Sequence, residues 1–286
     1  MIKSFFGGIK NVLGFIQNHF KAMLFLLILF LLFAPSTKPP APPANLIQID
    51  LTGMITNHED IVQRLQSAND NKHIKGILLN VNSGGGMVPP SIEISKALER
   101  IEKPIIAYSS GTIASGSYYA SIHADMIIAN PGSLVGSIGV IFEGMNLEKL
   151  LDTIGVAPQT VKVGKYKEAG TPKRAWSEYE KQELQTIAQD IYTLFVNDVA
   201  AARGLDPDDH ETFANAHIYT AARAKEHGLI DKVATMYEAK KILEELSGVK
   251  EPRWREKDRM ERFLERFEIS IVNILSHYTH GLKATI

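Results

Sequence analysis

Apolar residues are arranged along this chain in two alternating ways, as near-continuous short runs and as positions recurring every three or four residues. "NLIQIDLTGMI" reads as a first strand closed by Gly53, and "IVQRLQSAND" follows with Ile61, Leu65 and Ala68 at helical spacing. "IKGILLNVN", residues 74–82, is apolar at almost every position, as a strand covered on both faces must be. It runs into "SGGG" and then into a helix whose apolar positions include Ile92, Ile94, Leu98 and Ile101. "KPIIAYSS" predicts the next strand, "ASGSYYASIHA" a turn leading into a helix, and "DMIIANP" a further strand. Such alternation predicts an α/β fold with parallel strands. Its strand-to-helix turns gather at one edge of the sheet and present backbone N–H groups at helix N-termini, so chemistry is to be sought there.

Beyond Gly170 the pattern becomes mainly helical. Ser177 and Glu180 form a capping signature, and Leu184, Ile187, Ile191, Leu194 and Phe195 make one stripe that Gly204 ends. That helix is assigned to packing rather than to a site. "IYTAARAKEHGLIDKVATMYEAKKILEEL" reads as strand, helix, a stop at Gly228, short strand and final helix. From Arg253 onward, Met260, Phe263, Leu264, Phe267, Ile271, Ile274, Leu275 and Tyr278 recur at spacings of three and four on a charged background, which predicts an amphipathic helical tail over 251–286.

The N-terminus changes the picture of where the chain resides. "AMLFLLILFLLFA", Ala22 to Ala34, is an unbroken apolar run that extends back through Phe20, Ile16 and Phe15 if Lys21 snorkels toward the headgroups. Lys3, Lys10 and Lys21 precede it and no acidic residue occurs before Asp50, which places the N-terminus in the cytoplasm and the body of the protein outside. A cleaved signal peptide is the competing reading of the same run. The expected organisation is a cytoplasmic segment 1–21, an anchor core 22–34, a proline-rich tether 35–44, a globular domain 45–250 and the tail 251–286.

Composition then excludes several functions. A formal charge of −1 provides no field to hold nucleic acid through its phosphates. The absence of cysteine removes disulfides, thiolate zinc sites and a cysteine nucleophile.

Four segments could carry chemistry. In "NVNSGGGM" the glycines after a buried strand let backbone approach a ligand and free amides for an oxyanion, unless they make only a tight turn; the spacing fits neither a Walker A loop nor G-x-G-x-x-G. In "TIASGSYYAS", Ser115 is either a nucleophile with the Gly116 amide beside it or a helix N-cap. The histidines at 123, 210, 217 and 227 lack a distinguishing context, and His123 lies too far along the helix to serve Ser115. A lysine can act as base when its charged form is disfavoured, and "VKVGKYKEAGTPKRAW" offers Lys162, Lys165, Lys167 and Lys173. In a strand Lys165 and Lys167 share a face, so periodicity leaves the two equivalent. Ser137, inside the apolar run "LVGSIGVIF", either orients a lysine ammonium or satisfies a backbone carbonyl.

In this order the motifs resemble the signal peptide peptidase A family of membrane-anchored bacterial serine proteases, which use a Ser-Lys dyad on the ClpP/crotonase fold of repeated β-β-α units. The resemblance runs from about Asn45 to Leu246. The family's N-S-P-G-G turn looks like Asn82-Ser83-Gly84-Gly85-Gly86, its A-S-G-G-Y-Y turn like Ala114 to Tyr119, its T-G-S-I-G-V segment like Val135 to Val140, and its G-x-x-K-[DE] motif like Gly164 to Glu168. "AHIYTAARAKEHGLIDKV" also looks like the family's downstream A-x-x-x-G-L-[IV]-D segment. The resemblance implies Ser115 as nucleophile, Lys167 rather than Lys165 as general base, Ser137 as the lysine's orienting group, and the amides of Gly85 and Gly116 as oxyanion donors. It requires no metal or cofactor. It further implies hydrophobic peptide substrates such as spent signal peptides, contact with membrane lipid, a bacterial inner-membrane location and a ring-like homo-oligomer. The chain departs from the pattern at Gly84, where the family has proline, at Ser117, where it has glycine, and at Val135, where it has threonine. A crotonase-type acyl-CoA enzyme and an inactive anchored scaffold are the rival readings on the same fold.

Overall fold

The computed structural model describes the backbone of residues 2–33 and 42–256, with side chains from residue 15 in the first of these segments up to residue 30. Two compact units result, one holding residues 1–43 with 256–286 and the other residues 44–255. In the first, α1 (Ile2–Phe33) is a single helix of 32 residues. Among the described residues no helix is long and apolar enough to cross a membrane. The proline tether over 35–41 and the tail over 257–286 lie outside the described residues.

The second unit is the predicted α/β domain. Its elements begin β1 (Leu46–Thr52), α2 (Glu59–Asp70), β2 (Gly76–Ser83), α3 (Val88–Glu99), β3 (Ile105–Ala114), α4 (Gly116–Ser121), β4 (Met126–Ala129) and β5 (Leu134–Gly136). They continue with α5 (Glu148–Thr153), α6 (Glu178–Arg203), α7 (His210–Phe213), β6 (Ile218–Thr220), α8 (Ala221–Glu226), β7 (Lys232–Val233) and α9 (Met236–Leu246). The main path runs β1-β2-β3-β4-β7, with every neighbouring pair parallel. Parallel neighbours need covered crossovers, and the near-continuous apolar strands follow from burial on both faces. Alternate residues serve two cores. Ile47, Ile49, Ile77, Leu79, Ile105 and Ala107 enter the larger. Leu46, Leu78, Ile106 and Tyr108 face the smaller one, under Ala239 and Leu243 of α9.

The β-β-α repeat is visible only in reduced form. The first unit's second strand shrinks to one bridge, Ile55 with Gly86. Strand β3 supplies both parts itself: Ile106–Ser109 pair with β4, while Thr112–Ala114 pair with β5, which in turn runs antiparallel to β6. A register shift between Val81 and Ser83, beyond which Ser83 still pairs with Ile113, marks where β3 exchanges β4 for β5 as its other neighbour.

Residues 251–255 belong with the domain, because Trp254 bridges Leu46 and the Arg255 amide donates to the Leu46 carbonyl (2.8 Å). The lysine-rich segment is a succession of turns from Lys165 to Gly170, so no strand face relates Lys165 to Lys167.

Candidate active site

Strand β3 ends at Ala114 and α4 starts at Gly116, so one residue must make the reversal between them. Ser115 makes it at φ 53°, ψ −128°, a region that residues with a Cβ rarely occupy. Its amide donates to the Gly136 carbonyl at the end of β5 (2.8 Å), and its own carbonyl accepts from the Tyr119 amide (3.0 Å). The backbone is held on both sides while the hydroxyl is left without a hydrogen-bond partner among the described residues. Ser115 therefore does not cap α4, and the strained turn presents Oγ to the surface.

The glycine turn lies directly on this elbow. Gly85 sits at φ 99°, and a Cβ there would fall 2.6 Å from the Gly116 nitrogen and 2.8 Å from Ser115 Cβ. The Gly85 amide, expected to serve an oxyanion, donates instead to Ser83 Oγ (3.1 Å). Gly86 is held as closely, since a Cβ would meet the Ile55 carbonyl oxygen at 2.2 Å. The Gly86 nitrogen lies 3.2 Å from the point a Cβ on Gly116 would occupy. Neither the Gly86 nor the Gly116 amide has a partner among the described residues, and both residues line the same cleft as Ser115. The free amides beside Ser115 are thus those of Gly86 and Gly116, Gly116 being one of the expected pair.

That cleft is small and predominantly apolar, with Val88, Ile92, Val140 and Tyr119 on its walls. Ile191, Leu194 and Phe195 of α6 complete it, so the helix assigned to packing also contributes to the site. Leu194 at 44% and Ile187 at 40% exposure are the signal, apolar positions of the stripe left open to solvent. Phe195 packs on the Tyr119 ring (centroids 4.8 Å apart), and the Tyr119 hydroxyl donates to the Asp198 carboxylate. Burial, with that bond, pushes the Tyr119 phenol well above its ordinary value. Among the described residues no histidine lines the cleft.

The remaining expected residues fall as follows. Ser137 is half-buried at φ 49°, its amide donating to the His217 carbonyl (2.6 Å) and its hydroxyl unbonded among the described residues. It follows directly on Gly136, whose carbonyl holds Ser115. Lys167 lines a different, open and polar cavity with Thr160, Lys162 and Lys173. The structure therefore does not bring Lys167 into the cleft of Ser115. Its neighbours are otherwise occupied: Lys162 pairs with Glu168 (2.6 Å), and the Lys165 ammonium sits 4.6 Å from the Tyr179 ring centroid. Among the described residues Lys167 makes no ion pair. Its segment is pinned through Glu168 to Arg174 and from there to the fully buried Glu180 side chain (2.8 Å). The Arg174 guanidinium, with the Ser177 amide, holds the Glu180 carboxyl far below the usual carboxylate range.

A nucleophile-elbow serine, two free amides beside it and an apolar cleft suit acyl transfer. Comparison with known proteins agrees. The family model described as peptidase family S49 matches residues 97–250, and a Clp protease model matches residues 46–127. A putative signal peptide peptidase SppA of Enterococcus faecium is 38% identical over 180 residues, covering 62% of this chain and 52% of that protein. A putative protease of Synechocystis is 34% identical over 209 residues, covering 72% of this chain and 75% of that protein. The chain thus spans about half the length of the first of these relatives. A solved structure of the 1510-N membrane-bound stomatin-specific protease has the same fold, with a TM-score of 0.50 at 17% identity over 70% of this chain and 85% of that one. With more than half its length matched by one family model and its serine on the predicted turn, the chain belongs to peptidase family S49, the serine proteases of the SppA group.

Proposed function

We propose that the protein is a membrane-anchored endopeptidase in which Ser115 attacks the scissile carbonyl of a hydrophobic peptide, such as a spent signal peptide, with Lys167 as general base. The single observation that carries the reading is the Ser115 elbow at φ 53° beside the free amides of Gly86 and Gly116. Lys167 takes the serine proton and returns it to the leaving amine. Gly86 and Gly116 stabilise the tetrahedral oxyanion, a contribution of roughly 3–4 kcal/mol per donor. Ser137 orients the lysine from its position next to Gly136. The apolar cleft favours extended peptides with apolar side chains over acyl-CoA, and the serine has no task in a crotonase reaction.

Assembly would complete the lysine's part. Ser115 and Lys167 line separate cavities within one chain, and the segment between them exposes Ile141, Met145, Leu150, Ile154, Val161 and Val163. A homo-oligomer, the ring implied by the resemblance, would cover that surface and close the dyad between neighbouring copies. Anchoring rests on the apolar run 22–34 and its extension back through Phe20, Ile16 and Phe15, which approaches the roughly 20 residues a bilayer core needs. Lysines on its N-terminal side orient the domain away from the cytoplasm.

Hydrolysis of a hydrophobic signal-peptide substrate by the full chain in detergent tests the reading. Wild type cleaves; Ser115→Ala and Lys167→Ala, correctly folded and assembled, do not. An assembled wild type that cleaves nothing would leave the protein an anchored scaffold.

A further inference from the structure

The oxyanion turn contains three consecutive glycines, Gly84 to Gly86, the sequence least able to hold one backbone conformation. Gly84 makes no steric contact that could help, since a Cβ there would meet nothing within 4 Å. The turn must nevertheless stay fixed against Ser115 if its amide is to point at a developing charge.

Two buried serines supply the fixture. Ser117, fully buried one turn into α4, accepts the Ala114 amide through its Oγ (2.9 Å). The same hydroxyl lies 2.7 Å from the Ser83 carbonyl and 2.9 Å from the Ala114 carbonyl, and its one proton serves either. Ser83 in turn donates through Oγ to the Gly53 carbonyl (2.5 Å) and accepts the Gly85 amide. A chain of hydroxyls therefore runs from the residue before the nucleophile, through Ser117, to the start of the glycine turn and its far side. Ser117 stands where the resembling motif has glycine, and Gly84 where it has proline, so the chain lacks the ring that would stiffen the turn and has a hydroxyl that ties it down.

We infer that Ser117 is a positioning residue for the hydrolysis, its buried hydroxyl fastening the 83–86 turn to the Ser115 elbow and so compensating for the missing proline at 84. The inference rests on the hydrolase reading above, and it predicts coupling between two positions that do not touch the substrate. Ser117→Ala breaks the link; Gly84→Pro stiffens the turn by a different route.

The test uses the full-length assembled protein as wild type, Ser117→Ala, Ser117→Gly, Gly84→Pro and the Ser117→Ala/Gly84→Pro pair. Peptide-level hydrogen exchange over residues 83–87 is read beside kcat and KM. Ser117→Ala is expected to speed exchange there and lower kcat about tenfold with KM nearly unchanged, the signature of a transition-state interaction. Gly84→Pro is expected to restore much of both in the Ser117→Ala background while changing wild type about twofold or less, a non-additivity that contact-free stability changes do not produce. Ser117→Gly keeps the test available if alanine disturbs folding, because it adds no atoms. Unchanged exchange over 83–87 in both Ser117 variants, or strictly additive effects in the pair, would overturn the inference. An inactive wild type would overturn the hydrolase reading instead, while the exchange arm still decides whether Ser117 fastens the turn.

Discussion

Replacing Gly85 by alanine while leaving its neighbour as a control gives a sharp contrast between adjacent glycines. At Gly85 the backbone sits at φ 99°, and an L-residue in the left-handed half of the map costs about 1–2 kcal/mol. The new methyl would lie 2.6 Å from the Gly116 nitrogen, 2.8 Å from Ser115 Cβ and 2.9 Å from the Ala114 carbonyl oxygen. Non-bonded contacts to carbon relax near 3.5–4.0 Å, so turn and elbow must separate by roughly 0.5–1 Å. Oxyanion donors act over a window of only about 0.4 Å, so that displacement removes the Gly86 amide from useful range, a loss of roughly 10²–10³ in kcat. Gly84→Ala has no contact within 4 Å and no positive φ to strain; its kcat should stay within about threefold. The assay is peptide hydrolysis beside a thermal melt, in which Gly85→Ala loses about 2–3 kcal/mol while remaining folded. Equal activity in Gly84→Ala and Gly85→Ala would refute the packing of the turn on the elbow.

Two further outcomes follow from the segment that carries Lys167. Because Arg174 holds the Glu180 carboxyl far below its unfolded value, the buried carboxylate stabilises the fold above about pH 4–5 and loses that contribution as pH falls through the acidic range. Melting temperature should therefore drop between about pH 5 and pH 2, and Glu180→Gln should start lower and flatten the slope; an unchanged slope would remove Glu180 from the account. If the dyad closes between copies, mixing dissociated Ser115→Ala and Lys167→Ala proteins and reassembling them should recover roughly a quarter of wild-type sites, read as hydrolysis from two inactive parents. No recovery from a confirmed mixed assembly would confine the dyad to a single chain.

The parts of the fold that depend on local pattern were legible. The apolar run of β2 was readable because both faces are covered, and α6 was readable because Ser177 and Glu180 do form a capping box and Gly204 closes the helix at φ 65°. Ser115 and the glycine turn were legible as candidate chemistry because each follows a buried strand. The resemblance, not the spacing, put the glycines beside Ser115, and only the Ser83 hydroxyl, which occupies the Gly85 amide, leaves Gly86 with the free N–H. The contribution of Ile191, Leu194 and Phe195 was hidden because an apolar stripe reads the same whether it meets a core or an open cleft. Residues 251–255 were assigned to the tail because their pairing with Leu46 spans more than two hundred positions and leaves no local periodicity. The Lys165/Lys167 tie presumed a strand; turns replace it, and Tyr179 occupies Lys165.

The central claim is that Ser115 is the activated nucleophile. The most direct measurement is covalent labelling of the full-length assembled protein with a serine-directed fluorophosphonate, followed by mass spectrometry of the digested chain. One adduct on the peptide containing Ser115 is predicted, absent from Ser115→Ala and formed far more slowly in Lys167→Ala. An adduct on another residue, or peptide hydrolysis that persists in Ser115→Ala, would contradict it.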